Sequence, residues 1–319
     1  MGAVRESTLL NYVYTGNTAL PASVTIPPGD DMGAVRLGEQ TLLVTTDQLA
    51  AAVHVDIAAT PIEKVGRKAM TRSLSDVAAM AAIPTGAVVA VALPDDFGQA
   101  RAQQLFDAIR QAGNQYNCPV IGGDIAIWPN PLLITVTIFA EAAGIDPVLR
   151  RGAKPGHDIY VTGQLGGSLH TVGHYTHHLD FQPRINLART LAGNPGTRPH
   201  AMMDLSDGLA MDLPRLCHAA DNPITAEIDL PSLPLSPAAM HAARKSGKPP
   251  WQHAVGDGED YELLFTAPPD AIPATVQNIP ITRIGTITAR QPQTPPVRWR
   301  LEDGRLADTS NLGWEHHGQ

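Results

Sequence analysis

Asp76 constrains this chain more than any other residue. From Pro61 onward, Ile62, Val65, Ala69 and Met80 recur on one stripe at the ~3.6-residue period of a helix, and Asp76 falls on the same stripe. A carboxylate turned toward a core is costly unless it is paired, hydrogen-bonded or bound to a metal. Any fold of this sequence has to bring a partner to that acid. The helix start is marked by Thr60-Pro61-Ile62-Glu63, which predicts a capping box with proline at the first helical position.

Other acids sit in turn-like settings rather than on polar helix faces. Asp30 and Asp31 lie in "IPPGDDMGAV", and Asp47 follows "TLLVTT", which predicts a strand end. Asp124 follows "VIGG", a short strand expected to run into a Gly-Gly-Asp turn, and Asp204, Ser206 and Asp207 occupy a strand-to-helix junction in "AMMDLSDGLAMDL". Any one of these alone reads equally as turn chemistry or, for Asp204 and Asp207, as a helix cap. Taken together they suit Mg²⁺, which takes oxygen ligands and shares its shell with substrate phosphates.

Composition narrows the class. The chain has 319 residues, enough for two domains, with 43% hydrophobic and 17% charged residues and no apolar run long enough to cross a bilayer. A soluble protein follows as the expectation, with no membrane partner. The N-terminus lacks a basic segment followed by an apolar one, so the expected location is cytoplasmic. A net charge of −8 disfavours a sequence-independent grip on nucleic acid. Cys118 and Cys217 form no CxxC or Cys/His array, so they are expected to be buried small apolar residues.

Further elements are predicted as strands over Gly86–Pro94 and Pro131–Ala142 and an amphipathic helix over Gln99–Tyr116. Past Leu149 come a turn, a strand and a Gly-rich loop, then a helical region near Pro183 to Leu191. Pro214 is expected to kink or end the helix after Asp207. Irregular alternation of strands and helices predicts an α+β first half, and the boundary falls between residues 142 and 143. Nucleotide signals of the common kinds are missing: there is no GxxxxGK[ST], no GxGxxG after a strand and no protein-kinase motif set. An ATP user of this composition needs another scaffold.

The ordered set "PGDDMGAV", "LLVTTDQLAAAVHVD", "SLSDVAAM", "VIGGD", "RRGAKPGHDIYVTG", "MDLSDGL", "GEDYELLFT", "RIGTI" and "GWEHH" resembles the thiamine-monophosphate kinase family over nearly the whole chain. That family belongs to the ATP-binding superfamily that also holds aminoimidazole ribonucleotide synthetase and selenophosphate synthetase. The resemblance implies a two-domain α+β fold like that of aminoimidazole ribonucleotide synthetase. Residues 1–142 would form an N-terminal α+β domain that dimerises and binds ATP and Mg²⁺, and residues 143–319 a C-terminal α/β domain closing the cleft. It implies ATP- and Mg²⁺-dependent phosphorylation of thiamine monophosphate to thiamine diphosphate by a homodimer. By similarity, Asp30, Thr45, Thr46, Asp47, Asp76, Asp124, Asp204 and Asp207 would hold several Mg²⁺ ions, with Asp30, Asp47 and Asp207 as the catalytic set and Asp31 as a supporting acid. Phe106, Gly122, Gly123, Arg150 and Ser206 would contact ATP, and His54, Glu259 and Trp314 the thiamine moiety.

Chemistry is consistent with that assignment. Divalent ions offset the repulsion between two anionic reactants, and an acceptor phosphate already ionised near pH 7 needs no strong base. His54 is therefore assigned to substrate contact, and Trp314 to stacking on a cationic thiazolium or to packing. Four features depart from the family pattern: Asp257 in "GDGED", "IAIWPNP" after Asp124, Arg72 where a small polar residue is expected before "SLSD", and Pro214. Two alternatives stand beside the kinase reading, a related ATP-dependent enzyme with a different acceptor and a catalytically silent nucleotide-binding homologue. The lack of any cysteine before Cys118 disfavours selenophosphate chemistry.

Overall fold

Strands of alternating burial build the first half. The structure, a computed structural model, describes residues 5–16, 19–172 and 175–314, so Glu315, His316 and His317 of the closing motif lie outside the described residues. After helix α1 (Glu6–Gly16) come β1 (Val24–Ile26), β2 (Gly33–Leu37), β3 (Gln40–Ala50), α2 (Ile62–Ala79), β4 (Ile83–Pro94), α3 (Gln99–Gln115), β5 (Val120–Trp128) and β6 (Leu133–Glu141). Among the described residues the strands form a six-stranded sheet in the order β1-β2-β3-β6-β4-β5. On β6, Ile134, Val136, Ile138 and Ala140 are buried while their neighbours are not, the period-two signature of a sheet with one covered face. Helices α2 and α3 cover that face and pack on each other. Gly66 of α2 permits their close approach, since a Cβ there would lie 2.8 Å from both the Ala108 Cβ and the Leu105 carbonyl oxygen.

The second half holds β7 (Asp158–Thr162), β8 (Thr171–Val172), β9 (Tyr175–Thr176), α4 (His177–Asp180), α5 (Ile185–Ala192), β10 (Ala201–Asp204), α6 (Leu209–Ala219), β11 (Ile224–Asp229), α7 (Pro237–Ser246), α8 (Pro250–Gly256), β12 (Leu263–Ala267), β13 (Thr275–Val276), β14 (Ile279–Ala289), β15 (Val297–Arg300) and β16 (Leu306–Ala307). Its mixed sheet runs β10-β12-β7-β14-β11-β15-β16, with β13 paired to β14. Most pairs are antiparallel, and β11 and β15 run parallel.

Helix α2 ties the halves together. Besides the first sheet it packs on α4, α5 and β10, and one apolar cluster joins its Leu74 and Val77 to Met202, Leu263 and Phe265 of the second half. Each such fully buried side chain contributes about 1.5–3 kcal/mol relative to exposure. Arg67 donates to the Phe181 carbonyl at 2.6 Å, and Lys64 pairs with Asp180 at 2.7 Å, so the helix is also pinned by polar contacts. A second cluster, with Leu205, Leu213, Ile224, Ile228 and Trp299, fills the space between the second sheet and α6.

Several local expectations change in the folded chain. Pro61 is itself the N-cap of α2 and no side chain caps the helix, while Asp56 accepts from the N–H groups of Ala58 and Ala59 in the preceding turn. The Gly-Gly-Asp stretch is not a turn: Gly122, Gly123 and Asp124 lie inside β5. There a Cβ on Gly123 would stand 1.9 Å from the Val89 carbonyl oxygen, so that glycine serves strand contact. Asp47 lies within β3, which runs on to Ala50. Helix α6 continues past Pro214 to Ala219, with Gly208 as N-cap and no side-chain cap from Asp204 or Asp207. Both cysteines are buried and free, as expected.

Candidate active site

Strand alternation and helix periodicity together bring the acids to one place. On β3, Thr45 and Asp47 point to the face covered by α2, and the Thr45 hydroxyl donates to Asp76 Oδ2. Ser75, one residue back on α2, donates to Asp204 Oδ2 at the end of β10, at 2.6 Å. Asp31 completes the group: Asp31, Asp76 and Asp204 each offer an oxygen within 4.8 Å of the others. Burial and, after it, the neighbouring carboxylates push Asp76 and Asp204 well above the usual acid range. Such a concentration of buried carboxylates is relieved by protonation or by a bound cation, and an all-oxygen donor set suits a hard divalent ion.

Arg150 supplies part of the compensation. Its Nη2 and Nε donate to the two oxygens of Asp31 at 2.6 and 3.1 Å, a bidentate pair, and its backbone N–H donates to Asp30 at 3.2 and 3.3 Å. Asp30 and Asp31 are thus placed differently by Arg150. Asp31 joins the carboxylate cluster, whereas Asp30 anchors the short turn at Arg150, and burial together with Asp31 pushes its pKa up to about 6.

The remaining acids spread out. Thr46 points to the opposite face of β3, where its hydroxyl meets that of Thr137 at 3.0 Å, leaving its side chain away from Asp76. Asp124 sits on edge strand β5, in register with Ala90, Thr135 and Gln48 across the sheet. Three strand spacings of about 4.8 Å put it roughly 14 Å from the Asp47 region. Gly122 and Gly123 share that edge, and Phe106 of α3 is half-buried against the first core. Asp207 pairs with Arg215, which also holds Asp212 at 2.8 Å.

Beside the cluster lies a pocket lined by Val53, His54, Arg72, Asp207, Glu259 and Trp314, with Ser206 and Tyr261 also on its wall. His54 Nδ1 accepts from the Ala50 N–H at 3.0 Å, so the neutral ring carries its proton on Nε2. Glu259 and Tyr261 both hold left-handed backbone, φ 55° and 48°, a conformation non-glycine residues rarely adopt. Hydrogen bonds from their N–H groups to the carbonyls of Ser206 (2.7 Å) and Leu205 (2.8 Å) impose it. The "GEDYE" turn is therefore clamped onto the "DLSD" turn.

Lys68, which sequence reasoning passed over, lies under the pocket. Fully buried, its Nζ donates to Glu259 Oε1 and Oε2 at 2.8 and 2.7 Å and to the His54 carbonyl at 2.7 Å, and it lies 2.8 Å from His178 Nδ1. Burial alone would raise the Glu259 pKa, but His178 and Lys68 outweigh it and hold it at about 2. Burial lowers Lys68 to about 8 despite Glu259. One signal was available: Lys68, Arg72 and Asp76 recur every fourth residue and share a helix stripe. Asp257, the extra acid of "GDGED", is occupied by His253 Nδ1 at 2.9 Å and the Gly167 N–H at 2.9 Å.

Comparisons with known proteins agree with this arrangement. Residues 29–143 match the family model described as AIR synthase related protein, N-terminal domain. A thiamine-monophosphate kinase of Rhodopirellula baltica is 36% identical over 89% of this chain and 90% of its own length. The chain belongs to the thiamine-monophosphate kinase family. A thiamine-monophosphate kinase of Haemophilus influenzae is 31% identical over 98% of both chains. The solved structure of AaThiL complexed with AMPPCP and TMP superposes with a TM-score of 0.81 at 28% identity, covering 98% of this chain and 97% of that one. As a member of the thiamine-monophosphate kinase family the chain is an enzyme of kinase type, and its α+β fold is that of the aminoimidazole ribonucleotide synthetase class. Among the described residues no helix is long and apolar enough to cross a membrane.

Proposed function

We propose that this protein transfers the γ-phosphoryl group of ATP directly to the phosphate of thiamine monophosphate, giving thiamine diphosphate and ADP, with Mg²⁺ bound at the acids. The observation that carries this reading is the convergence of Asp31, Asp76 and Asp204 within 4.8 Å, next to the pocket of His54, Glu259 and Trp314. Asp76 and Asp204 would hold Mg²⁺, joined by Asp47 and Asp31, while Asp30, Thr45, Thr46, Asp124 and Asp207 complete the set proposed for further ions. When bound, the ions neutralise charge between the two anionic reactants.

The chain's own residues orient and exclude. Trp314 and His54 flank the acceptor's rings, and the Trp314 N–H, bonded to the Asp207 carbonyl at 3.0 Å, fixes the indole's backbone beside the pocket. An acceptor phosphate oxygen attacks the γ-phosphorus as the bond to the β-phosphate oxygen breaks, and the electron pair leaves with ADP. That oxygen is already ionised near pH 7, so no side chain has to remove a proton.

Edge strand β5 supports a homodimer with the halves divided at residues 142 and 143. Ile121, Ile125 and Ile127 are 65%, 60% and 73% exposed on one face of an edge that is unpaired among the described residues. Gly122 and Asp124 alternate onto the other face, and the proposed nucleotide contacts draw on Gly122, Gly123, Phe106, Arg150 and Ser206.

Incubation of the purified protein with ATP, MgCl₂ and thiamine monophosphate tests the reading. Thiamine diphosphate and ADP are expected in equal amounts, with loss of both on adding EDTA. ADP release without thiamine diphosphate, or no turnover at all, would exclude the assigned reaction.

A further inference from the structure

Each acid that lines the pocket has a cation or donor of its own. Glu259 is held by Lys68 and His178, Asp257 by His253, and Asp207 by Arg215. Arg72 is the one Arg or Lys among the described residues lining the pocket, and its donors are only partly used. Its Nη1 donates to the Gln48 carbonyl at 2.9 Å. Its Nη2 stands 3.7 Å from Asp47 Oδ1, beyond hydrogen-bond reach, and its Nε is shielded from solvent with no partner. Leaving a buried donor unsatisfied costs about 1–3 kcal/mol, more for a charged group, so this guanidinium is under-satisfied and its Nη2, the donor not shielded from the pocket, is free to take a ligand oxygen.

Position on α2 identifies that ligand. Lys68, Arg72 and Asp76 lie on one stripe, each about 6 Å further along the axis. Lys68 is fixed to Glu259 at the acceptor pocket, and Asp76 belongs to the carboxylate cluster, so Arg72 stands at the junction between them. An acceptor bound in the pocket with its reacting end toward the cluster has to pass its phosphate through that junction. A guanidinium's planar fork matches two phosphate oxygens.

We propose that Arg72 clamps the phosphate of the acceptor, through the donors of its Nη2, and thereby sets the preference for the phosphorylated acceptor over the bare alcohol. The proposal rests on the kinase reading above. Removal of the clamp is expected to lower affinity for the phosphate ester and to leave the ring contacts untouched.

Calorimetric titration of the full chain in magnesium buffer with thiamine monophosphate and, separately, with thiamine tests it. Arg72→Met is expected to weaken thiamine monophosphate binding by about tenfold to 100-fold, as for a lost charge-assisted hydrogen bond. Thiamine binding and the KM for ATP are expected to change less than about twofold. Arg72→Lys keeps the charge without the fork and is expected to lose severalfold for the ester alone, which keeps the test open should Arg72→Met not fold. Equal losses for both ligands, or none for either, would overturn the clamp. An unsubstituted protein that makes no thiamine diphosphate would instead overturn the kinase reading and the clamp with it, whereas an active protein whose variants keep the ester-to-alcohol ratio overturns the clamp alone.

Discussion

Lys68 Nζ lies 2.8 and 2.7 Å from the two carboxylate oxygens of Glu259, joining the middle of α2 to the turn before β12 across 191 residues of sequence. Both groups are largely withdrawn from water, with side-chain exposures of 0% and 16%, and the His54 carbonyl and His178 complete the contacts around the pair. It fixes the "GEDYE" turn against the helix that carries Arg72 and Asp76. The floor of the proposed acceptor pocket and one acid of the candidate metal centre therefore move as one body.

Lys68→Met should destabilise the protein by about 3–5 kcal/mol, because Glu259 is left buried without its lysine partner. Glu259→Gln in the same background should cost much less than Glu259→Gln alone. Urea unfolding of the four proteins in a double-mutant cycle reads the coupling, and additive losses would disprove it.

The pH dependence of that pair has a definite sign. Glu259 titrates at about 2 when folded against an ordinary 4.5, so its contribution is present above 4.5 and is lost as pH falls from there toward 2. The stability gap between the native protein and Glu259→Gln should be widest near neutral pH and shrink over that acid window by up to about 3 kcal/mol. A gap independent of pH would contradict the assignment.

Asp204→Asn should raise the melting temperature of EDTA-treated protein by about 2–4 °C, since burial and Asp31 make the charged form of Asp204 unfavourable. MgCl₂ should raise the melting temperature of the native protein and leave that of the variant nearly unchanged. Calorimetry on both proteins with and without the ion checks this, and an equal Mg²⁺ response would remove Asp204 from the metal set.

Trp314→Ala should raise the KM for thiamine monophosphate by about tenfold, the size of a lost aromatic–cation contact, while the KM for ATP stays within about twofold. Steady-state kinetics with each substrate varied in turn decides between stacking and packing. Equal rises in both values would point to packing.

Gly123→Ala should cost about 2 kcal/mol or more in urea unfolding, because the new Cβ would meet the Val89 carbonyl oxygen at 1.9 Å. Gly122→Ala is the control, since its nearest neighbour would be Val88 Cγ1 at 3.8 Å, and it should cost less than about 1 kcal/mol.

The sequence by itself determined the periodic elements and the need for a partner at Asp76. Residue pattern is enough for that: apolar, β-branched runs predict β4 and β6, the 3.6 period predicts α2 and α3, and an acid on an apolar stripe requires compensation. Ordered motifs also carried the family. Which acids meet was decided only in three dimensions. Asp31 rather than Asp30 joins Asp76 and Asp204, while Arg150, far along the chain, donates its backbone N–H to Asp30 and its guanidinium to Asp31. The parity of β3 turns Thr46 away from its neighbours Thr45 and Asp47, and the sheet order carries Asp124 to a distant edge. Sequence marks Arg72 as a departure from the family pattern and gives Lys68 only a four-residue spacing from it, and only the docking of the second half onto α2 buries Lys68 against Glu259 and leaves Arg72 with donors to spare. Local pattern records the preferences of neighbouring residues, whereas burial and charge pairing depend on segments that sequence separation keeps apart.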